Sequence, residues 1–464
     1  MRKNLALLTD SYKVSHWKQY RPGTTSVYSY FESRGGQFPT AAVVGLQILL
    51  KKYLTQRVTK DDVDYAASRW AKHFNDPNLF NRDGWMHIVN KHGGKLPLRI
   101  MATPEGLSVP VSNVLMTVEN TDLQVPWLTN WFETLLSQVW YPSTVFTSDR
   151  EVKRIIKRYL DANGDPAGLL FKLHDFGFRG VSSVESAGVG GMAHLVNFMG
   201  TDTAEAFEYV LEYYSEDMAG FSIPAAEHST ITSWGGPEFE HESVANIIQQ
   251  FGDSPTGLYA IVGDSYDIIN FCQNIIGDKL KHKVLAAKNT LVARPDSGIP
   301  EQVDLDVIEA LGYAFGYSIN SKGFKVLNKV RMIQGDGIKW ITEKEHTIER
   351  ILSNLALKGW SADNIAFGSG GGLLQNVNRD TQKFAFKCSS TICDGREVDV
   401  WKQPITDSAK SSKRGRLKLV NDPNLGYITL NEKCVGENIL QEKYLNGEIT
   451  LEHRFGELRA SAAL

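Results

Sequence analysis

Six times between residues 165 and 385, a short apolar run ends in a polar, often acidic, loop and gives way to a helix-like segment. LLFKLHDFGFRG reaches His174-Asp175, LVNFMGTD reaches Asp202, and GLYAIVGDSYD reaches Asp264. TLVARPDSG reaches Arg294 and Asp296, VRMIQGDG reaches Asp336, and NIAFGSGGG reaches Ser369 and its glycines. Apolar runs without alternation are what a parallel strand buried on both faces requires. Their alternation with helices implies βα units. Polar groups gathered at the carboxyl ends of such strands are how a βα-barrel assembles an active site. The pattern predicts an α/β fold with an irregular βα-barrel-like domain over 165–385. The segments 1–164 and 386–464 then form a second, mostly β domain. A doubly wound open sheet is the competing architecture, because strand order is not written in the sequence.

The flanking segments support that division. TSVYSYFESRGG alternates with a period of two, which puts Tyr28, Tyr30, Glu32 and Arg34 on one strand face. Residues 96–120 are β-rich with Gly and Pro turns, and 127–160 is helical with a break near Pro142. The net charge of −3 gives no overall basic field for nucleic acid or an anionic membrane. No apolar stretch reaches the ~18 residues of a transmembrane helix, and the apolar run before Asp10 is too short for a signal peptide. The four cysteines, Cys272, Cys388, Cys393 and Cys434, form no CxxC pair, which fits reduced thiols in the cytoplasm. No HExxH or paired zinc-ligand motif is present, so neither a structural nor a catalytic zinc is expected.

Several strand ends carry recognisable chemistry. In FGSGGGLLQ, a strand runs into Gly368, Gly370, Gly371 and Gly372 and then a helix, so bare backbone N–H groups are offered to a phosphate. The spacing is neither a Walker A loop nor GxGxxG, and a tight packing turn explains it equally well. ARPDSG sets Arg294 and Asp296 in one loop, suited to an anion and a hydroxyl or metal. Asp296 or Ser297 as a helix cap is the plain alternative. QGDG offers Asp336 beside nearly bare backbone, suited to ribose hydroxyls. GDSYD puts Asp264 and Asp267 where capping is expected. SIPAAEHSTITSWGG sets Glu227-His228 among small and apolar residues. A packed or surface histidine is the ordinary reading of such a position. Together these loops describe a site for a phosphorylated sugar.

TDSYKVSHWKQY, YFESRGG, KLHDFGFRGVSS, GTDT, PAAEHSTITSWG, DSYDI, RPDSG, IQGDG, FGSGGGLLQ and FKCS occur in an order that closely resembles the nicotinamide phosphoribosyltransferases, type II phosphoribosyltransferases, over nearly the whole chain. The resemblance implies a homodimer with two active sites at the subunit interface. It implies that nicotinamide and phosphoribosyl pyrophosphate give nicotinamide mononucleotide and pyrophosphate, with Mg²⁺, stimulated by ATP through a phosphohistidine. By that resemblance His228 is the phosphorylated ring, Asp264 orients it, and Asp296 belongs to the catalytic group. Phe176 and the other subunit's copy of Tyr12, in the segment that includes Asp10, sandwich the nicotinamide ring. Asp202 favours the neutral carboxamide over a carboxylate, and Arg179 lies near base and sugar phosphate. Arg294, Gly335 and Asp336 surround the ribose, and Gly370 and Gly371 hold the 5′-phosphate. Arg34, Arg379, Lys387, Lys402 and Lys410, from the other subunit, are the cations at pyrophosphate and nucleotide phosphates. Ala260 and Ala385 stand where the family has serines, so two hydroxyl contacts are absent.

The implied reaction needs positioning and leaving-group stabilisation rather than a base, because the pyridine nitrogen carries no proton. Two alternatives stay open: nicotinate phosphoribosyltransferase, against which Asp202 argues, and a non-catalytic nucleotide-binding relative.

Overall fold

The computed structural model describes residues 2–339, 346–406 and 411–464. Two compact units are present: residues 1–147, 212–216 and 378–463 form one, and residues 148–211, 217–377 and 464 the other.

The first unit is organised by a seven-stranded antiparallel sheet. Its order is Arg396–Asp399, Phe384–Cys393, Thr24–Ser33, Val114–Asn120, Leu98–Ala102, Gln441–Leu445 and Glu448–Ile449. Helices Lys60–Phe74, Arg82–His92 and Leu128–Leu136 contribute to its core, with Trp85, Trp127, Trp131 and Phe132 almost wholly buried. Thr59 and Asp62 close a capping box at the first of these helices. The predicted helical break is a short 3₁₀ turn at Ser137–Val139, just ahead of Pro142 in helix Trp140–Asn163. That helix carries the chain across the unit boundary, so residues 148–164 belong with the parallel unit rather than with the N-terminal one. Residues 378–385 belong with the antiparallel unit, because strand Phe384–Cys393 pairs along the whole of Thr24–Ser33. Both boundaries of the sequence-based division shift for these reasons.

The second unit is built on a six-stranded sheet whose pairs are all parallel. The order is Gly200–Thr201, Leu173–Asp175, Ile365–Ser369, Val330–Gln334, Thr290–Arg294 and Leu258–Val262. Taken cyclically this is chain order, without the reversal that a doubly wound sheet requires. The gap between Gly200–Thr201 and Leu258–Val262 is bridged by an irregular stretch. Phe221 bridges Gly200 on one side and Ala225 bridges Ala260 on the other. Pro224 interrupts this stretch, and a proline cannot donate to a ladder, so the closure is made by single bridges instead of a regular strand. The strands are apolar on both faces. Tyr259 and Ile261 are fully buried on one face, while Ala260, Val292 and Ile333 pack together on the other with Phe176 and Ile223.

Candidate active site

Each strand of the parallel unit ends where the sequence pattern places its polar loop, and the loops converge on one cavity of about 880 Å³. Phe176 and Arg179 follow Leu173–Asp175, and Asp202 follows Gly200–Thr201. His228 follows the bridging stretch, Arg294 and Asp296 close Thr290–Arg294, and Gly335 and Asp336 follow Val330–Gln334. Gly370 and Gly371 follow Ile365–Ser369. All line this rim cavity. Asp264, after Leu258–Val262, stands behind it.

His228 opens the short helix His228–Thr232 and is 44% exposed. Its Nδ1 meets Ser265 Oγ at 3.1 Å. Its Nε2 faces two carboxylates, Asp264 Oδ1 at 3.6 Å and Asp296 Oδ2 at 3.5 Å. These are ion-pair distances, longer than good hydrogen bonds. The acid next to it in sequence plays no part in this contact: Glu227 accepts a hydrogen bond from Ser229. Asp264 does not cap a helix, a task left to Asp267, whose carboxylate accepts from the Ile269 and Asn270 N–H groups. Instead Asp264 Oδ2 accepts from Ser297 Oγ at 2.5 Å and from the Asp296 N–H at 3.1 Å. Nor does ARPDSG cap the helix after it: the cap of Pro300–Phe315 is Ile299, with no side-chain bond. The polar groups of two adjacent strand ends are thus used on each other and on His228.

A second cavity of about 630 Å³ lies within the barrel. It is lined by residues from the amino ends of the strands, such as Lys172, Leu258 and Arg331, through to the carboxyl ends. Phe176, Asp202 and Arg294 line both cavities and so mark their junction. Asp202 is exposed there, with Oδ1 accepting from Ser222 Oγ at 2.5 Å. The Phe176 ring has its place because position 368 carries no side chain. A Cβ on Gly368 would lie 2.0 Å from Phe176 Cε2. A Cβ on Gly371 would meet nothing within 4 Å, so that backbone faces open space. Arg294 Nη2 sits 3.2 Å from Asp296 Oδ2, yet its Nε is buried without a hydrogen-bond partner among the described residues. An unmade guanidinium donor beside a cavity calls for an anion.

The antiparallel unit gathers the rest of the sequence-derived set. Asp10, Tyr12, Arg34, Arg379 and Lys387 line one pocket of about 630 Å³. Pairing of Thr24–Ser33 with Phe384–Cys393 sets Tyr30 opposite Lys387 and Ser33 opposite Phe384, which draws Arg34 and Lys387 together. The turn after Arg34 needs glycine. Gly36 has φ +126°, and a Cβ there would stand 2.3 Å from the Thr381 carbonyl. Arg34 Nε and Nη1 are buried without partners among the described residues. Burial pushes the Lys387 ammonium below its usual range, and Lys402 and Arg34 push it the same way. Tyr12 is 62% exposed. Asp10 accepts from Thr134 Oγ1 at 2.7 Å. Lys410 lies outside the described residues.

The sequence-derived residues therefore fall into two sets: a barrel rim with carboxylates, a histidine and glycines, and a cationic pocket with an exposed tyrosine. Sequence reasoning did not single out Ser265 or Ser222 and read Ser297 only as a possible helix cap, yet these hydroxyls hold His228, Asp202 and Asp264. Each lies in a loop of interest, but its partner comes from a different loop.

The family model described as the nicotinate phosphoribosyltransferase (NAPRTase) family matches residues 171–448. The one described as the nicotinamide phosphoribosyltransferase N-terminal domain matches residues 4–100. A nicotinamide phosphoribosyltransferase of Xanthomonas campestris pv. campestris is 48% identical, covering 99% of this chain and 98% of its own length. One from Mycoplasma pneumoniae is 33% identical, covering 90% and 96%. Among solved structures, nicotinate-nucleotide pyrophosphorylase from Pyrococcus furiosus superposes with a TM-score of 0.61 at 14% identity, covering 99% of this chain and 94% of that one. Human nicotinic acid phosphoribosyltransferase gives 0.54 at 17%, covering 98% and 93%, and both show the same fold.

Proposed function

Because the chain belongs to the nicotinate phosphoribosyltransferase family, alongside its nicotinamide phosphoribosyltransferases, we propose that it joins nicotinamide to phosphoribosyl pyrophosphate, giving nicotinamide mononucleotide and pyrophosphate. The observation that carries the reading is the junction at Phe176, Asp202 and Arg294, where an apolar inner cavity opens into a polar rim. A flat ring stacks on Phe176 at that junction. Its amide NH₂ donates to Asp202, whose orientation is fixed by Ser222. A carboxylate in the same place is repelled, so part of the selectivity is exclusion.

The ribose then lies in the rim cavity, with Asp296 and Asp336 for its hydroxyls and the Gly370–Gly371 backbone for its 5′-phosphate. The pyridine nitrogen forms its bond to C1 as the bond from C1 to the pyrophosphate oxygen breaks. Negative charge moves to the departing pyrophosphate, and no proton needs removal. Arg294 Nε has a donor free for that charge. The rim carboxylates Asp296 and Asp336 would suit Mg²⁺ carried in on pyrophosphate. Bound Mg²⁺ neutralises charge on the leaving group.

Two subunits make the full site in this reading. The second copy's pocket of Tyr12, Arg34, Arg379 and Lys387, with Lys402 close enough to act on the Lys387 charge, supplies the other ring face and the pyrophosphate cations. ATP acts through His228: a ring nitrogen takes the γ-phosphoryl group, ADP leaves, and the ring loses a proton. The exposed ring, held at Nδ1 by Ser265, supports this role. Free thiols at all four cysteines suit a reducing, cytoplasmic compartment. No helix among the described residues is long and apolar enough to cross a membrane.

The test is turnover of nicotinamide against nicotinate by the purified protein, with phosphoribosyl pyrophosphate and Mg²⁺. Preference for the amide supports the reading. Preference for the acid replaces it with nicotinate phosphoribosyl transfer, and turnover of neither rejects both.

A further inference from the structure

Three side chains in the antiparallel unit converge on one another, and none of them lines the rim cavity or the cationic pocket. Helix Arg82–His92 carries His87 in its body and His92 as its last residue. Asp122 follows strand Val114–Asn120 and is 7% exposed. His87 Nε2 lies 2.9 Å, and His92 Nε2 2.6 Å, from the same oxygen, Asp122 Oδ2. The other oxygen, Oδ1, accepts from the Gln124 N–H at 2.9 Å, so the carboxylate is held in one orientation. Lys91 Nζ stands 3.2 Å from Oδ2, but this side chain is 56% exposed.

We propose that His87, His92 and Asp122 form a binding site for a divalent transition metal of the zinc class, which ties the end of helix Arg82–His92 to the loop after strand Val114–Asn120. Two imidazoles and a carboxylate are a borderline-soft donor set, suited to Zn²⁺ and not to Mg²⁺. The three ligand atoms all lie within 4.8 Å of one another, close enough that small side-chain shifts bring them to the ~3.4 Å separation of donors around one tetrahedral ion at about 2.0–2.2 Å from each. The ion would sit at the negative end of the helix dipole. Charge neutralisation alone does not explain the arrangement, since Lys91 already supplies a cation to Asp122 and a second imidazole on the same oxygen is redundant. On metal binding Lys91 swings to solvent. The chain has no sequence motif for this site because its ligands are five and thirty residues apart and meet only through the fold. None of the three lines the rim cavity or the cationic pocket, so the site stands independently of the transferase reading.

The test uses chelator-treated full-length protein titrated with Zn²⁺ against a chromophoric chelator, and separately with Co²⁺ as a visible-spectrum probe. One tight equivalent per chain is expected, with Co²⁺ ligand-field bands of nitrogen and oxygen ligation. Affinity should fall at least ~100-fold in His87→Ala and in His92→Ala. Lys91→Ala separates a metal site from a salt-bridge cluster. It should bind Zn²⁺ as tightly as the wild type or more so, because a competing cation is gone. No Co²⁺ bands in the wild type, or Zn²⁺ affinity unchanged in both histidine variants, overturns the proposal. Should a histidine variant fail to fold, the wild-type Co²⁺ spectrum and the Lys91→Ala titration still decide it.

Discussion

At the scale of single residues, the junction of the two cavities makes sharp demands. Asp202 has one oxygen committed to Ser222 and one face toward the inner cavity. Asp202→Asn keeps the shape and removes the charge. We expect discrimination against nicotinate to fall by about 10–100-fold, read as the ratio of kcat/KM for amide and acid. Gly368→Ala acts on the ring's seat, because the added carbon would lie 2.0 Å from Phe176 Cε2. KM for nicotinamide should rise more than ~tenfold while the melting transition stays cooperative, checked by kinetics beside a thermal scan. Much of this set was legible in the sequence, because a short polar loop after an apolar run marks a strand's carboxyl end. Asp264 and Asp296 were named from such loops, whereas His228 lies in none of the six runs and was given its role by the family resemblance. The serine partnerships were not legible, since Ser265 and Ser297 act across adjacent strands and strand adjacency is a tertiary fact.

At the scale of elements, the closing stretch Phe221–Ala226 explains why the barrel looked irregular from its sequence. Pro224 denies it a regular ladder, yet its two single bridges complete the ring and deliver His228 to the rim. No period of two marks it, so it could not be counted as a strand. Helix Glu240–Phe251 makes a separate prediction about stability. Glu240 is 2% exposed, its Oε1 has no hydrogen-bond partner among the described residues, and burial with the nearby Asp267 charge raises its carboxyl from 4.5 to about 7. Between those two values the native state keeps a proton that the unfolded chain has lost. Stability from this group is therefore greatest at the acid end and declines as pH rises toward 7. Glu240→Gln removes that decline. Thermal scans from pH 5 to 8 should show the variant gaining on the wild type as pH rises, and parallel curves would show that the group is not protonated in the native state.

At the scale of the whole molecule, the division of labour between the units is the central feature. The barrel rim lacks the cation cluster, and the antiparallel unit holds it in a pocket of its own. In a dimer with shared sites, Asp296→Ala and Arg34→Ala should each abolish most activity. Mixing the two variants under exchange should restore about a quarter of the wild-type rate, because half the dimers then hold one intact site. No recovery would place both sets of residues in the same subunit's site. The sequence conveyed the two classes of segment but set their limits at 164/165 and 385/386. Helix Trp140–Asn163 crosses the observed boundary at 147/148 and strand Phe384–Cys393 runs through 385/386, so only pairing and packing assign these segments.

The most direct test of the account is nicotinamide mononucleotide formation from nicotinamide, phosphoribosyl pyrophosphate and Mg²⁺, with and without ATP, in the wild type and in His228→Ala. The account predicts product in the wild type that rises with ATP, and a variant whose product does not respond to ATP. An equal response to ATP in both would remove His228 from the role given to it here, and no product from nicotinamide under any condition would contradict the account as a whole.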